Sequence, residues 1–212
     1  MRLPSRRLVL ECIRLTSGAL AASALLFGCS TTGPASSSAP PSPAPATAGH
    51  TKADDDKMQV RNNASSLLEQ LLDQEKNVSK VLIIKHASRE LSGLIKAIST
   101  AAGDGAKRLK SLAQGDPTLD LGRQELPVGE KASRDAIAKT EEYDLLLSSG
   151  ANFEFTLLLT QAQALNYGSH LAKVAADHSA DPEEVDALLT ISRTMDQLLT
   201  QVKAMMRSLP PK

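Results

Sequence analysis

From residue 58 onward, apolar side chains return at steps of three and four. Val60, Ala64, Leu67, Leu68, Leu71 and Leu72 form one stripe, which predicts an amphipathic helix from about 58 to 76. A second run takes in Val78, Val81 and Leu82, then Leu91, Leu94, Ile95, Ile98 and Ala102, and continues to Leu109 and Leu112. Gly103 and Gly105 mark places for a bend or a break in it. Gly115-Asp116-Pro117 ends that helix, and a loop runs to Pro127, with Leu119, Leu121 and Leu126 expected to pin it to the body. Ala132, Ala136, Ile137, Thr140, Tyr143 and Leu147 mark a third helix, which Ser148-Ser149-Gly150 either closes or kinks.

From Ala151 to about Asp177 the chain is apolar on more than one helical face, through Phe153, Phe155, Leu157, Leu158, Leu159, Ala162, Leu165 and Leu171. That pattern predicts the central, most buried helix. Small residues along it, among them Ala164, Gly168, Ser169, Ala172 and Ala175, allow a neighbour to approach closely. The last helix opens with Asp181-Pro182-Glu183-Glu184: a capping side chain, a proline at the first helical position and a Glu placed for a capping box. Its stripe is Val185, Leu188, Leu189, Ser192, Met195, Leu199, Val202 and Met206, and Pro210-Pro211 stops it. No segment alternates apolar and polar residues, and Val81-Leu82-Ile83-Ile84 sits inside a helical register. The expected fold is all-α: an antiparallel four-helix bundle with an extra N-terminal helix, spanning 58–209.

The segment ahead of this body has a different character. Ser30 to about Ala53 holds prolines at 34, 40, 41, 43 and 45 and no Leu, Ile, Val or aromatic residue, so it cannot bury enough apolar surface to offset the entropy of ordering. Residues 29–57 are therefore expected to be a disordered tether, whose low-complexity part spans about 25 to 30 Å as a coil. Asp54-Asp55-Asp56 reads as a solvated, helix-starting cluster, because no further calcium ligands follow at loop spacing. Residues 1–28 have a basic head with Arg2, Arg6, Arg7 and Arg14, then an apolar stretch from Leu15 to Phe27, the layout of a secretory signal. That stretch is shorter than the roughly 20 residues a membrane span needs.

The signal ends in Leu26-Phe27-Gly28-Cys29, which resembles the lipobox of bacterial lipoprotein signals. The resemblance implies a diacylglyceryl group on the Cys29 sulfur, cleavage after Gly28 and an acylated new amino terminus; this covalent lipid is the only attached group expected. Several acyl chains anchor durably, since each buried CH₂ contributes about 0.8 kcal/mol. Ser30 following the Cys implies the outer membrane, facing the periplasm. Ser5-Arg6-Arg7-Leu8-Val9-Leu10 also resembles part of a twin-arginine signal, although paired arginines are common in basic heads and the general secretion route is preferred.

Charge and composition narrow the partners. The chain has 24 Lys+Arg against 24 Asp+Glu, and 2% of its residues are aromatic, with no Trp. Loss of Arg2, Arg6, Arg7, Arg14 and Glu11 with the signal leaves 20 basic and 23 acidic residues, so the mature chain sits near −3. A nucleic-acid binder would need a basic footprint and stacking platforms; the first is missing and, with two Tyr and three Phe, the second are scarce. Cys12 leaves with the signal, and Cys29 alone remains, which rules out an internal disulfide, a catalytic thiol or a thiolate metal site in the mature body. The expected partners are the membrane, through the lipid, and another envelope protein.

Motifs for chemistry are scarce. The sequence has no Gly-x-Ser-x-Gly elbow, and Gly103-Asp104-Gly105 lacks the strand and further glycines of a phosphate loop. Lys107, Arg108 and Lys110 form a local basic cluster suited to lipid headgroups or peptidoglycan acids, or simply to a wet helix face. Gln161, Gln163 and Asn166 lie on the most apolar helix, where a buried amide demands a partner; an interhelical hydrogen bond is the expected use.

One further resemblance is carried by Ala106 to Ala113, the loop to Leu126-Pro127, Ser149-Gly150-Ala151-Asn152-Phe153-Glu154, a long helix with His170, and Asp181-Pro182 before a closing amphipathic helix. Over roughly residues 60 to 207 this succession resembles a family of exported ferritin-like bundles of unknown function. Gly150, Phe153, Glu154 and His170 stand at matching positions. Glu154 and His170 lie about 24 Å apart on a straight helix, so they cannot share one metal ion. The family's second-helix histidine has no counterpart unless His86 takes its place in a shifted register. A di-iron bundle needs Glu-x-x-His on two helices, and the sequence has none. A metal site would have to use His86 and Glu90, one turn apart, with Glu154 or Glu141 facing them. The plainer account makes His86 and Glu90 an exposed polar pair beside Lys85 and Arg89. The expected function is a non-enzymatic envelope lipoprotein with no catalytic residues, whose bundle acts as an interaction or structural module. A ferritin-like metal-binding or redox bundle is the alternative. A small-ligand carrier, the third option, would show a dry cavity beside Gln161.

Overall fold

Asp54 and Asp55 lie in the first turn of α1 (Lys52–Glu75), where carboxylates meet the positive end of the helix dipole. The helix therefore starts earlier than its apolar stripe, and residues 52–57, expected in the tether, are helical and exposed. These belong to a computed structural model that describes residues 52–122 and 126–209. The signal, the lipobox residues Leu26, Phe27, Gly28 and Cys29, and the tether up to residue 51 lie outside the described residues.

Every described element is helical. A 3₁₀ turn (Val78–Lys80) and a single α-turn, α2 (Val81–Ile84), follow α1. Then come α3 (Arg89–Gly115), α4 (Val128–Leu147), α5 (Gly150–Asp177) and α6 (Pro182–Ser208). The run expected to continue from Val78 to Leu112 is broken at Lys85, whose backbone is extended, and α3 restarts behind Ser88, whose hydroxyl accepts from the Leu91 N–H. Neither Gly103 nor Gly105 interrupts α3. Ser148-Ser149 separates α4 from α5, and Gly150 takes φ +54°, a left-handed conformation natural to glycine.

Four helices share the core. α5 packs against α1 and α6, and α3 packs against the same two. Lys110 on α3 reaches Glu69 and Asp73 on α1, while Ser99 bonds the Lys76 carbonyl, so α1 and α3 run antiparallel. The centre holds Leu68 and Leu72 of α1, Leu91, Ile95 and Leu109 of α3, Phe153, Leu157 and Leu158 of α5, and Leu188 and Val202 of α6. α5 contributes the most buried residues, as its all-round apolar pattern predicts, although Phe155 and Leu159 stay exposed. The closest approach is at Gly168, where a Cβ would stand 2.7 Å from Met195 and 2.8 Å from Leu71. Leu119 is buried, and Leu121 and Leu126 pack against the core, so the loop after α3 is pinned as expected.

α4 stands apart from these four. None of its residues is buried, and Ile137, Tyr143 and Leu147, expected to form its core-facing stripe, are exposed. Its inner face is instead Arg134, Glu141 and Leu145, each half-buried. The extra helix was expected at the N-terminus; α1 lies in the core, and the helix that contributes least to it is α4. The difference lies in placement: α1 sets Leu67, Leu68 and Leu72 on one side, whereas the leucines of α4 are bunched at its end as Leu145-Leu146-Leu147.

Candidate functional site

Two groups of polar side chains are built into this apolar frame. The first, beside the start of α6, centres on Arg61 of α1, a buried guanidinium. It meets Glu184 at 3.4 Å and Asp116 at 3.2 Å, and donates to the Thr118 hydroxyl at 2.9 Å. Asn62 donates to the Thr118 carbonyl at 2.8 Å, and the Ser66 hydroxyl to the Leu121 carbonyl at 2.6 Å. Asp181 caps α6 as its sequence predicts, accepting from the Glu183 N–H at 3.0 Å. Glu184, placed by sequence for a capping box, turns inward instead, where it is 1% exposed and accepts from the Ser179 hydroxyl at 2.6 Å. The buried cation explains this choice, because an unpaired guanidinium in the core is far costlier than an unfilled capping box. Thr118 and Arg61 hold the Asp116 carboxyl below its usual range against the opposing effect of burial. This cluster ties three chain segments together through Arg61, although Glu184 Oε1 is buried without a hydrogen-bond partner.

The second group has no cation at its centre. Glu75, the last residue of α1, lies beside Gln161 of α5, which is 3% exposed and interacts with the carboxyl across the helix interface. Of the three amides singled out in the sequence, Gln161 is the buried one; Gln163 and Asn166 are exposed. Glu75 as a residue is half-buried, yet its Oε2 is sealed from solvent and no protein group donates to it. Gln161 Oε1 beside it is likewise without a donor. Burial pushes the Glu75 carboxyl up to about 7; the Gln161 amide opposes this and the Glu141 charge adds to it. Glu141, on the inner face of α4, is raised as well, by burial and then by Asp144.

Glu75 also lines a cavity of about 780 Å³ between α3 and α6. Its wall is mostly aliphatic, because Ala97, Ala101, Ala102 and Gly105 on α3 leave room opposite Ile191 and Met195 on α6. Asp104, Arg108 and Asp186, all exposed, stand at its solvent edge.

The metal-site residues named from sequence are placed differently. His86 and Glu90 are exposed, in the linker before α3 and in its first turn. Glu154 accepts from the Ser88 N–H at 2.5 Å, and so holds the start of α3. Among the described residues no three His, Cys, Asp or Glu side chains come together in a metal-holding group. Neighbouring Lys85 donates to the carbonyls of Leu146 and Ser148 at 2.6 and 2.8 Å and stands 5.9 Å from the Phe153 ring, which caps the end of α4 with a cation. His170 is exposed, and His178 bonds the Val174 carbonyl at the end of α5. The basic cluster on α3 is engaged in ion pairs: Lys107 with Asp104, Arg108 with Glu183, Lys110 with Glu69 and Asp73.

Comparison with family models, curated proteins and solved structures finds no match to the chain. Among the described residues, no helix is long and apolar enough to cross a membrane.

Sequence reasoning missed Glu75, Arg61 and Glu184. Arg61 stands about one turn before Ala64 and two turns before Leu68, so a cation on the apolar side of α1 was the available signal. Glu75 sits three and four residues after Leu72 and Leu71, on the same face, and carried the same kind of signal.

Proposed function

We propose that this protein is a bacterial envelope lipoprotein, held on the outer membrane through lipidated Cys29, whose periplasmic helical bundle is a non-enzymatic interaction or structural module. The observation that carries this reading is the order of segments in the chain: a basic head and short apolar run ending in Leu26-Phe27-Gly28-Cys29, a Pro/Ser/Ala tether, then the bundle. Two features of the body agree with it. The buried ionic groups around Arg61 pair with one another across helix ends, an arrangement suited to holding a shape. α4 in turn keeps Ile137, Tyr143 and Leu147 exposed. The bundle itself is read as ferritin-like, supported by α1, α3, α5 and α6 each packing against two of the others.

Cys29→Ala tests the anchor. The variant is expected in the soluble envelope fraction with an unchanged melting temperature, since the tether separates anchor from core. Its retention on membranes after a high-salt wash overturns the lipoprotein reading. The metal-binding alternative draws on one contact: Glu154 bonds Ser88, two residues from both His86 and Glu90. Stoichiometric iron, manganese or zinc in chelator-free protein, lost in His86→Ala, would establish it in place of the non-enzymatic reading.

A further inference from the structure

We propose that the cavity between α3 and α6 is a binding site for a small ligand with an apolar body and a protonated amine, the amine pairing with Glu75. The cavity, about 780 Å³, is large enough for a small molecule and is walled by Leu72, Ile98, Leu165, Ile191, Met195 and Leu198. An apolar body gains there by leaving water.

The polar chemistry of the wall selects the charge. Glu75 lines the cavity, and its Oε2 is without a donor. With this carboxyl ionised the wall offers an acceptor and lacks an N–H to meet it. An alkylammonium supplies three donors and no acceptor, whereas a carboxylate ligand would add acceptors and a second negative charge. The charges at the edge are each paired, Asp104 with Lys107 at 3.6 Å, Asp186 with Arg193 at 3.7 Å and Arg108 with Glu183 at 3.0 Å, so the selection falls to Glu75. Glu141 faces Glu75 from α4 and deepens the negative field. A charged amine meeting the Glu75 carboxylate in a desolvated wall forms a charge-assisted hydrogen bond, the strong class. This site is independent of the lipid anchor.

Calorimetric titration of the full chain at pH 7.5 with hexylammonium, hexanol and hexanoate separates the contributions of body and charge. Hexylammonium is expected to saturate with an affinity at least about tenfold above that of hexanoate, with hexanol in between. Equal or tighter binding of hexanoate, or no saturation by hexylammonium, overturns the proposal. In Glu75→Gln the preference for the amine is expected to vanish while hexanol binding is kept; a preference that survives overturns it. Ala101→Phe provides the second variant, because it fills the cavity and leaves Glu75 in place. It should lose hexylammonium and hexanol together, and undiminished amine binding there overturns the site even if Glu75→Gln fails to fold.

Discussion

α4 and α5 are neighbours in the chain, joined at Ser148-Ser149, and both are long helices, yet they are held by different forces. α5 places eleven residues in the interior, from Phe153 to Ala176, and its stability is that of the core. α4 buries none. Its turns are supported locally, by Glu130 with Arg134 at 2.7 Å and Lys131 with Asp135 at 2.9 Å, pairs worth a few tenths of a kcal/mol each. It is attached by Arg134, in its second turn, on the Tyr167 ring and hydroxyl, by Leu145 against the core, and by Lys85 on its last carbonyls. A helix can thus form part of the fold without being part of the core, and the two kinds should respond differently to substitution.

The largest contrast is expected between Phe153→Ala and Leu147→Ala. Phe153 is fully buried and its truncation should cost about 3 to 5 kcal/mol, while Leu147, 82% exposed, should change stability by less than about 0.5 kcal/mol. Denaturant unfolding measures both, and a comparable loss in the two would erase the distinction. Arg61→Ala comes next, at about 3 to 5 kcal/mol, because it strands the buried Glu184 carboxylate. Arg61→Met combined with Glu184→Leu should recover much of that loss; a double variant no better than Arg61→Ala would show that the cluster's value lies in its ionic contacts and not in avoiding an unpaired charge.

Glu75 gives a pH signature on the core side of the comparison. Its carboxyl is raised from 4.5 to about 7, so between those values the folded protein keeps a proton that the unfolded chain has released. Stability therefore falls as pH rises through this window, and above it the full cost of a buried carboxylate is carried. Glu75→Gln should remove most of that slope and stabilise the protein at pH 8 by on the order of 3 kcal/mol, with little change near pH 4. Glu141, raised in the same direction, keeps a smaller slope in place. Thermal melts across pH 4 to 8 decide it, and an unchanged slope in Glu75→Gln excludes Glu75 as its source. The smallest effect belongs to Arg134→Ala. It should speed amide exchange along α4 while leaving the melting temperature of the whole within about 1 °C; a global drop would mean that α4 is coupled to the core.

The helical class of the protein was legible because its signals are local: a three-to-four repeat, Asp181-Pro182 before α6, Gly115-Asp116-Pro117 after α3. The face of α4 was not. Ile137, Tyr143 and Leu147 fit its three-to-four repeat, so periodicity assigns them inward, but Leu145 is as apolar as Leu147, and the contact along Arg134, Glu141 and Leu145 sets the rotation instead. The candidate sites divide in the same way. Gln161 stood out as an amide on an apolar helix, while Glu75 looked like one more charge at a helix end until α5 was laid against it.

By itself the chain determined that helices form, about where they start and stop, and which of their faces are strongly apolar, because hydrogen bonds and side-chain periodicity within a helix depend on residues a few positions apart. The proposed leader and lipobox, Leu26-Phe27-Gly28-Cys29, rest on linear pattern alone. Which carboxylates are buried was decided only by tertiary packing: Glu184 under Arg61, 123 positions away, and Glu75 against Gln161 beside an open apolar space. Solvation energy depends on what surrounds a charge in three dimensions, and the neighbours that set it come from other helices.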